Sequence, residues 1–321
     1  MKWGLDMQKT YKKLKLWQGL VLLALSIIEI FWISGYFASV GGLYGTLASE
    51  LLLLALALLT VFLARADFAE VFPIKKISVA GVGGTVLLWV GAFLTMMIVD
   101  LIIMAFFPNE MSAVGSGLGD AFQSVPLQIS VVIVAISPAI CEEAVFRGVL
   151  LHSVNLQKYK WVAVIVTGLI FGACHGSVWR FFPTAFLGIM MGYLLVETDN
   201  MIYNGIFHCI NNLVPLLLMF LMPQTSSADA SALLTTSAIW LSVGSYLVLG
   251  AAIPFSLYIG NFLIHYKKPG YRTTLFPQGK PWVIGVLIIA SVGFVIVGVA
   301  VMSLVIVLNP DMMQQVLQSA L

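Results

Sequence analysis

The apolar residues of this chain are gathered into nine long runs, near 17–37, 43–65, 80–106, 127–151, 160–176, 183–197, 200–222, 232–264 and 282–308, each bounded by charge, proline or glycine. A bilayer core takes about 20 apolar residues per helical crossing. The runs lack the two-residue alternation of an outer-membrane barrel, so they predict helices. Of the 321 residues, 60% are hydrophobic and 9% charged, against about a quarter charged in a soluble globular protein. A soluble enzyme, a disordered chain and a disulfide-stapled secreted domain are thereby excluded, and three cysteines spaced far apart give no disulfide framework. A net charge of +2 is too small to argue for a nucleic-acid partner. The expected fold is an all-α, polytopic transmembrane helical bundle of about nine spans.

Charge sets the orientation. The first run follows Lys2, Lys9, Lys12, Lys13 and Lys15, like the start of a signal peptide. It is longer than a signal core and no small-x-small cleavage site follows, so it is read as an uncleaved helix. With the N-terminus cytoplasmic, Arg65, Lys75, Lys76, Lys158, Lys160, Lys267, Lys268, Arg272 and Lys280 fall inside. The outer loops take Glu50, Glu110, Asp120, Asp229 and Asp311, with Arg180 as their basic residue. This is the positive-inside bias, and it predicts N-in, C-out. The chain divides into two N-terminal helices over 1–79, a core block over 80–225 that carries every motif below, and two C-terminal helices over 226–321. The segment 223–233 is the most linker-like, and 311–321 is a candidate interfacial helix.

Ionisable groups within spans are costly, and function is sought there. The fourth run reads ISPAICEEAVFRGVLL, with Glu142, Glu143 and Arg147 in apolar surroundings. Glu143 and Arg147 are four apart and face each other on a helix, which leaves Glu142 without that partner. Pro138 predicts a kink where the carboxylates begin. The fifth run ends in FGACHG, placing His175 on the face of Phe171, and the seventh carries NGIFHCINN, placing His208 on the face of Asn212. The fifth and sixth runs, at about 17 and 15 residues, are short for a span, which suits a thinned or watered region. Each feature has a plainer reading: Glu143–Arg147 as a structural ion pair, His208 with Asn212 as interhelical glue, His175 as a satisfied core histidine. The conjunction favours chemistry, because Glu142 serves no structural need. Gly188 and Gly192 form a GxxxG suited to close packing. Cys141, Cys174 and Cys209 adjoin motif residues but diverge from them by about 100° on a helix, and they read as small packing residues. Glu29 and Asp100 are intramembrane acids without an obvious partner, while His152 and His265 read as interface residues at cytoplasmic helix ends.

EExxxR (Glu142, Glu143, Arg147), FxxxH (Phe171, His175) and HxxxN (His208, Asn212), in this order on successive membrane helices, resemble the CPBP family. That family comprises the CAAX prenyl endopeptidases and bacteriocin-processing or immunity-associated (Abi-like) proteins. The likeness covers roughly residues 125–215. It implies an intramembrane endopeptidase in which Glu142 with His175 activates water, His208 and Asn212 stabilise the oxyanion, and Glu143 with Arg147 supports them. The residues agree with such roles: a carboxyl in an apolar surround is suited to take and return a proton, and imidazole and amide groups on one helix face can donate to an oxyanion.

Two forms of the mechanism stay open. In one, glutamate and histidine act unaided; in the other a divalent metal, zinc by the His₂Glu precedent, is held from among Glu142, Glu143, His175 and His208. The competing class is an ion-coupled transporter or a catalytically silent scaffold or immunity protein. Transporters show polar, broken helices in both halves, whereas here the polar residues cluster in one block with no counterpart in the first three or last two helices. A protease would gather Glu142, His175 and His208 around one cavity. The expected partners are the lipid bilayer and a membrane-associated peptide or protein substrate, prenylated or bacteriocin-like, and the short loops resemble those of a bacterial cell-membrane protein.

Overall fold

A computed structural model describes residues 12–154, 156–221 and 235–310. Lys2, Lys9, the 223–233 segment, Asp229 and the candidate helix at 311–321 lie outside them. The described residues form a helical bundle without a strand: α1 (Leu16–Gly41), α2 (Leu43–Ala64), α3 (Val79–Phe106), α4 (Pro108–Gln123), α5 (Leu127–Ser153), α6 (Leu156–Ala173), α7 (Val178–Thr198), α8 (Met201–Leu221), α9 (Thr236–Ile264) and α10 (Trp282–Leu308). Eight of these, all but α4 and α6, are long and apolar enough to cross a membrane. The chain is an integral membrane protein.

Connections alternate between two ends of the bundle. At one end the Lys12 amide donates to the Arg65 carbonyl (3.1 Å), Lys75 pairs with Asp199, and Glu197 receives Lys160 and His265. At the other end Phe107 packs on Trp179 at 4.7 Å between centroids, Phe106 on Trp240 at 5.8 Å, and Ser237 donates to Asn309 (2.9 Å). α6 therefore also runs from end to end and stands where the ninth span is expected, but it is not long and apolar enough to be counted with the other eight. Tyr159, at φ −125 and ψ 28, interrupts its polar first turn, so the regular part is short, as its run length predicts. The basic residues at 12–15, 65–76, 158–160 and 267–280 share the first end, and Arg180 lies at the other.

Several expectations need correction. α7 is not short: it starts at Val178, and Arg180 and Pro183 lie within its first turns rather than before it. Pro183 lies inside the helix, as prolines do in transmembrane helices where neighbouring groups satisfy the carbonyl left free, so neither residue marks the boundary. Glu50 is not in an outer loop; it lies two turns into α2 and is buried. α4, rich in Gly and Ser, is an exposed helix that no apolar run announced. In α5, Pro138 is flanked by stretches of wider, i→i+5 winding over Val131–Ile136 and Ala144–Leu150. Such π segments take up a proline's missing hydrogen bond and often mark functional places.

Small residues set the packing of the core. A Cβ on Gly188 of α7 would lie 2.8 Å from Gly168 Cα of α6, and one on Gly172 would lie 2.8 Å from the Ala185 amide. The GxxxG is thus a packing surface, as expected of membrane helices that gain little from apolar burial against lipid. α1 and α2 turn on the single residue Gly42, whose φ of 55 and ψ of −134 a side chain would resist. Both helices pack against α5, the most buried span.

Candidate active site

α5 presents its two adjacent carboxylates differently. Glu143 is enclosed, with a side chain 1% exposed. Arg147, one turn on, donates to Glu143 Oε1 (2.9 Å) and to the Gly188 carbonyl of α7 (3.1 Å). From α8, His208 Nδ1 donates to Glu143 Oε1 (3.0 Å) and Asn204 Nδ2 donates to Glu143 Oε2 (3.3 Å) and the Met191 carbonyl (2.7 Å). A carboxylate with three donors around it is the arrangement that makes a buried charge tolerable. Glu143 is therefore a knot between α5, α7 and α8.

Glu142 points elsewhere, as the four-residue spacing of its neighbour requires. Its Oε2 is 3.6 Å from His208 Nε2 and has no hydrogen-bond partner among the described residues. The distance is just beyond direct hydrogen-bond reach. Glu142 and His175 line one cavity of about 160 Å³, together with Phe146, Phe171, Cys174 and residues of α1 and α2. His175 Nδ1 donates to the Phe171 carbonyl (2.8 Å), so in the neutral ring Nε2 keeps its lone pair. Gly176 follows at φ 65, turning the chain directly after His175. The Phe171 ring fills the centre of the group. Phe146 meets it edge-on at 5.1 Å, His175 at 4.8 Å and His208 at 5.9 Å, and the Arg147 guanidinium lies 4.3 Å from its centroid. The phenylalanine of FxxxH thus walls off the ion pair from the cavity.

Of the residues singled out from the sequence, Glu142, His175 and His208 converge, with Glu143 and Arg147 immediately behind them. Asn212 is turned aside: its Nδ2 donates to the Val134 carbonyl (3.0 Å), and it does not line the cavity. Among the described residues no three His, Cys, Asp or Glu side chains are grouped as one ion would need. Of the zinc set drawn from Glu142, Glu143, His175 and His208, Glu143 is taken up by Arg147, His208 and Asn204, while His208, giving its Nδ1–H to Glu143, keeps its Nε2 toward Glu142. The cysteines are free, with Cys141 and Cys174 buried.

The sequence reading missed Asn204, although it extends the His208–Asn212 stripe by one turn. It also held that the first three helices have no polar counterpart, which the structure overturns. Glu29 of α1, bonded by Ser49, and Glu50 of α2 line the same cavity as Glu142. Asp100 Oδ1 of α3 is buried without a hydrogen-bond partner among the described residues. These acids are scattered at no motif spacing, and only folding brings the first two to Glu142. His265 closes its helix at the basic end of the bundle and is 4% exposed there, stacked on Tyr271 and bonded to Glu197.

Residues 124–214, under a third of the chain, match the family model Rce1-like, described as type II CAAX prenyl endopeptidase Rce1-like. The matched stretch holds all three motifs. No curated protein and no solved structure matches the chain.

Proposed function

From a chain whose central block, residues 124–214, belongs to the CPBP family that includes the type II CAAX prenyl endopeptidases, we propose an intramembrane endopeptidase acting on membrane-associated peptides or proteins, with Glu142 as its proton-transferring base. The observation that carries this is the shared cavity of Glu142 and His175, with His208 3.6 Å from the Glu142 carboxyl. A transporter would string such groups along a path across the bilayer; Glu142 and His175 line one cavity, with His208 behind Glu142 rather than in its lining.

In this reading a water in the cavity lies between Glu142 and the Nε2 lone pair of His175. Glu142 takes its proton as the oxygen attacks the peptide carbonyl, and returns that proton to the leaving amine, so the scheme balances without another reagent. His208, fixed by Glu143, turns Nε2 toward the developing charge and stabilises it when protonated. Asn212 gives an amide N–H to the Val134 carbonyl and does not line the cavity, so the scheme assigns the oxyanion donor to His208 alone. Glu143 and Arg147 act through His208 and are positioning residues. No step is routed through a metal. The basic end of the bundle faces the cytoplasm by the positive-inside rule.

The test uses the purified chain in micelles with internally quenched peptides bearing a C-terminal lipid anchor, farnesylated in one arm and acylated in the other. Cleavage by the wild type that is lost in Glu142→Gln supports the reading, and the arm that is cut names the substrate class. Equal cleavage by wild type and Glu142→Gln overturns it.

A further inference from the structure

The cavity wall facing Glu142 and His175 comes from α1 and α2, and the hydrolytic scheme does not use it. Glu29 is 1% exposed and Glu50 8%. Ser49 Oγ donates to Glu29 Oε1, but Glu29 Oε2 and Glu50 Oε2 are buried without a hydrogen-bond partner among the described residues. Both acids line the cavity, beside the hydroxyl residues Ser34 and Thr46.

No cation of the described protein serves this wall. The charged groups acting on Glu50 are Glu142 and Glu29, both acidic. Arg147 is engaged with Glu143 and the Gly188 carbonyl, and neither Glu29 nor Glu50 has an ion pair among the described residues. Carboxyls held at membrane depth without a counter-charge are costly and are retained for function. Glu29 has an α1–α2 hydrogen bond through Ser49; Glu50 makes none and does not serve packing in that way. The acids are also not grouped into a metal donor set. The space is about 160 Å³, below the roughly 300–1,000 Å³ of a small-molecule pocket, and so suits one side chain rather than a whole ligand.

We propose that Glu29 and Glu50 form an acidic subsite, opposite Glu142 and His175, that receives the cationic side chain of a substrate residue next to the scissile bond. It rests on the hydrolase reading for its substrate, while its charge preference can be measured without turnover. An ammonium entering between the two carboxyls would satisfy both free oxygens and would place the adjoining peptide bond at Glu142. The substrates would then be membrane-anchored chains with lysine or arginine at the cut.

Two measurements test it. In the first, thermal unfolding of the full chain in micelles is followed with n-butylammonium, n-butanol or butyrate at matched ionic strength. Binding to the folded state raises the melting temperature. The expected result is a rise with butylammonium that exceeds butanol, absent with butyrate, and reduced in both Glu29→Gln and Glu50→Gln. Equal effects of butylammonium and butanol, or a rise unchanged in both variants, overturns the subsite. In the second, quenched peptides differ in lysine, norleucine or glutamate at each position beside the bond. Wild type should favour lysine over norleucine by at least about tenfold in kcat/KM (~1.4 kcal/mol), and the ratio should fall toward one in Glu50→Gln. An equal loss on both peptides, with the ratio kept, makes Glu50 catalytic rather than selective and overturns the proposal. Selective butylammonium binding by a chain that cleaves nothing supports the cation site and overturns only the hydrolase reading.

Discussion

His208 joins the two glutamates: its Nδ1 lies 3.0 Å from Glu143 Oε1 and its Nε2 3.6 Å from Glu142 Oε2. Adjacent residues on α5 thus meet opposite edges of one imidazole contributed by α8. The enclosed carboxylate fixes the ring and its tautomer, and the cavity-facing one is left to do chemistry. That division predicts different consequences for changes one residue apart.

Glu142→Gln keeps volume and hydrogen bonding but removes the group that takes the proton. A positioned general base contributes about 10²–10⁴-fold. Peptide cleavage should fall by that factor, while the melting temperature in micelles stays within a few degrees of wild type. A fall in stability comparable to that of Glu143→Gln would show Glu142 to be structural.

Reporter fusions test the alternation of connections. Fusions after residues 76, 159 and 270 should read cytoplasmic, and those after 115, 228 and 315 external. The interval 159 to 228 is the sharp part, because α6 carries Lys158 and Lys160 and is the least apolar crossing. Matching sides for fusions after 115 and 159 would remove a span and the membrane depth of Glu142.

The helices and their order were legible because a membrane leaves no choice but apolar runs of fixed length, and Glu143 with Arg147 was legible because i and i+4 must meet on a helix. α7 was misjudged at its start, where Arg180 and Pro183 resemble a loop but sit in a helix's first turns. Glu50 was misread from its position near the start of a run, which fixes depth but not direction. Its approach to Glu142 depends on how α2 is rotated against α5, and a single sequence carries no direct record of that rotation. Asn204 was legible in principle, as one more step of the four-residue stripe through His208 and Asn212.

Gly188 serves twice, as a close contact for α6 and as the carbonyl that Arg147 bonds. A methyl there would press on Gly168, 2.8 Å away. Overpacking of this kind typically costs 1–3 kcal/mol. Gly188→Ala should lower the melting temperature and weaken activity through Arg147, and Gly188→Val should do so more strongly. Gly285→Ala, facing open space on α10, is the control, and an equal effect at both glycines would sink the packing argument.

The Glu143–Arg147 pair gives the sharpest separation of structure from chemistry. Both side chains are 1% exposed, and removing one partner of a buried pair costs on the order of 3–5 kcal/mol in soluble proteins, because the other charge is stranded. Glu143→Gln leaves the Arg147 charge facing only neutral acceptors, the glutamine oxygen and the Gly188 carbonyl, and also weakens the hold on His208 and Asn204. Arg147→Met leaves Glu143 with two neutral donors. Each single variant should lose abundance in membranes and melt earlier, with activity reduced to match. The double variant removes both charges and should regain part of the stability, a coupling that a double-mutant cycle reads directly. It should not regain full activity, since His208 would still lack its carboxylate. Additive losses in stability would show that the two side chains do not act as a pair, and recovery of full cleavage in the double variant would show that Glu143 does not position His208.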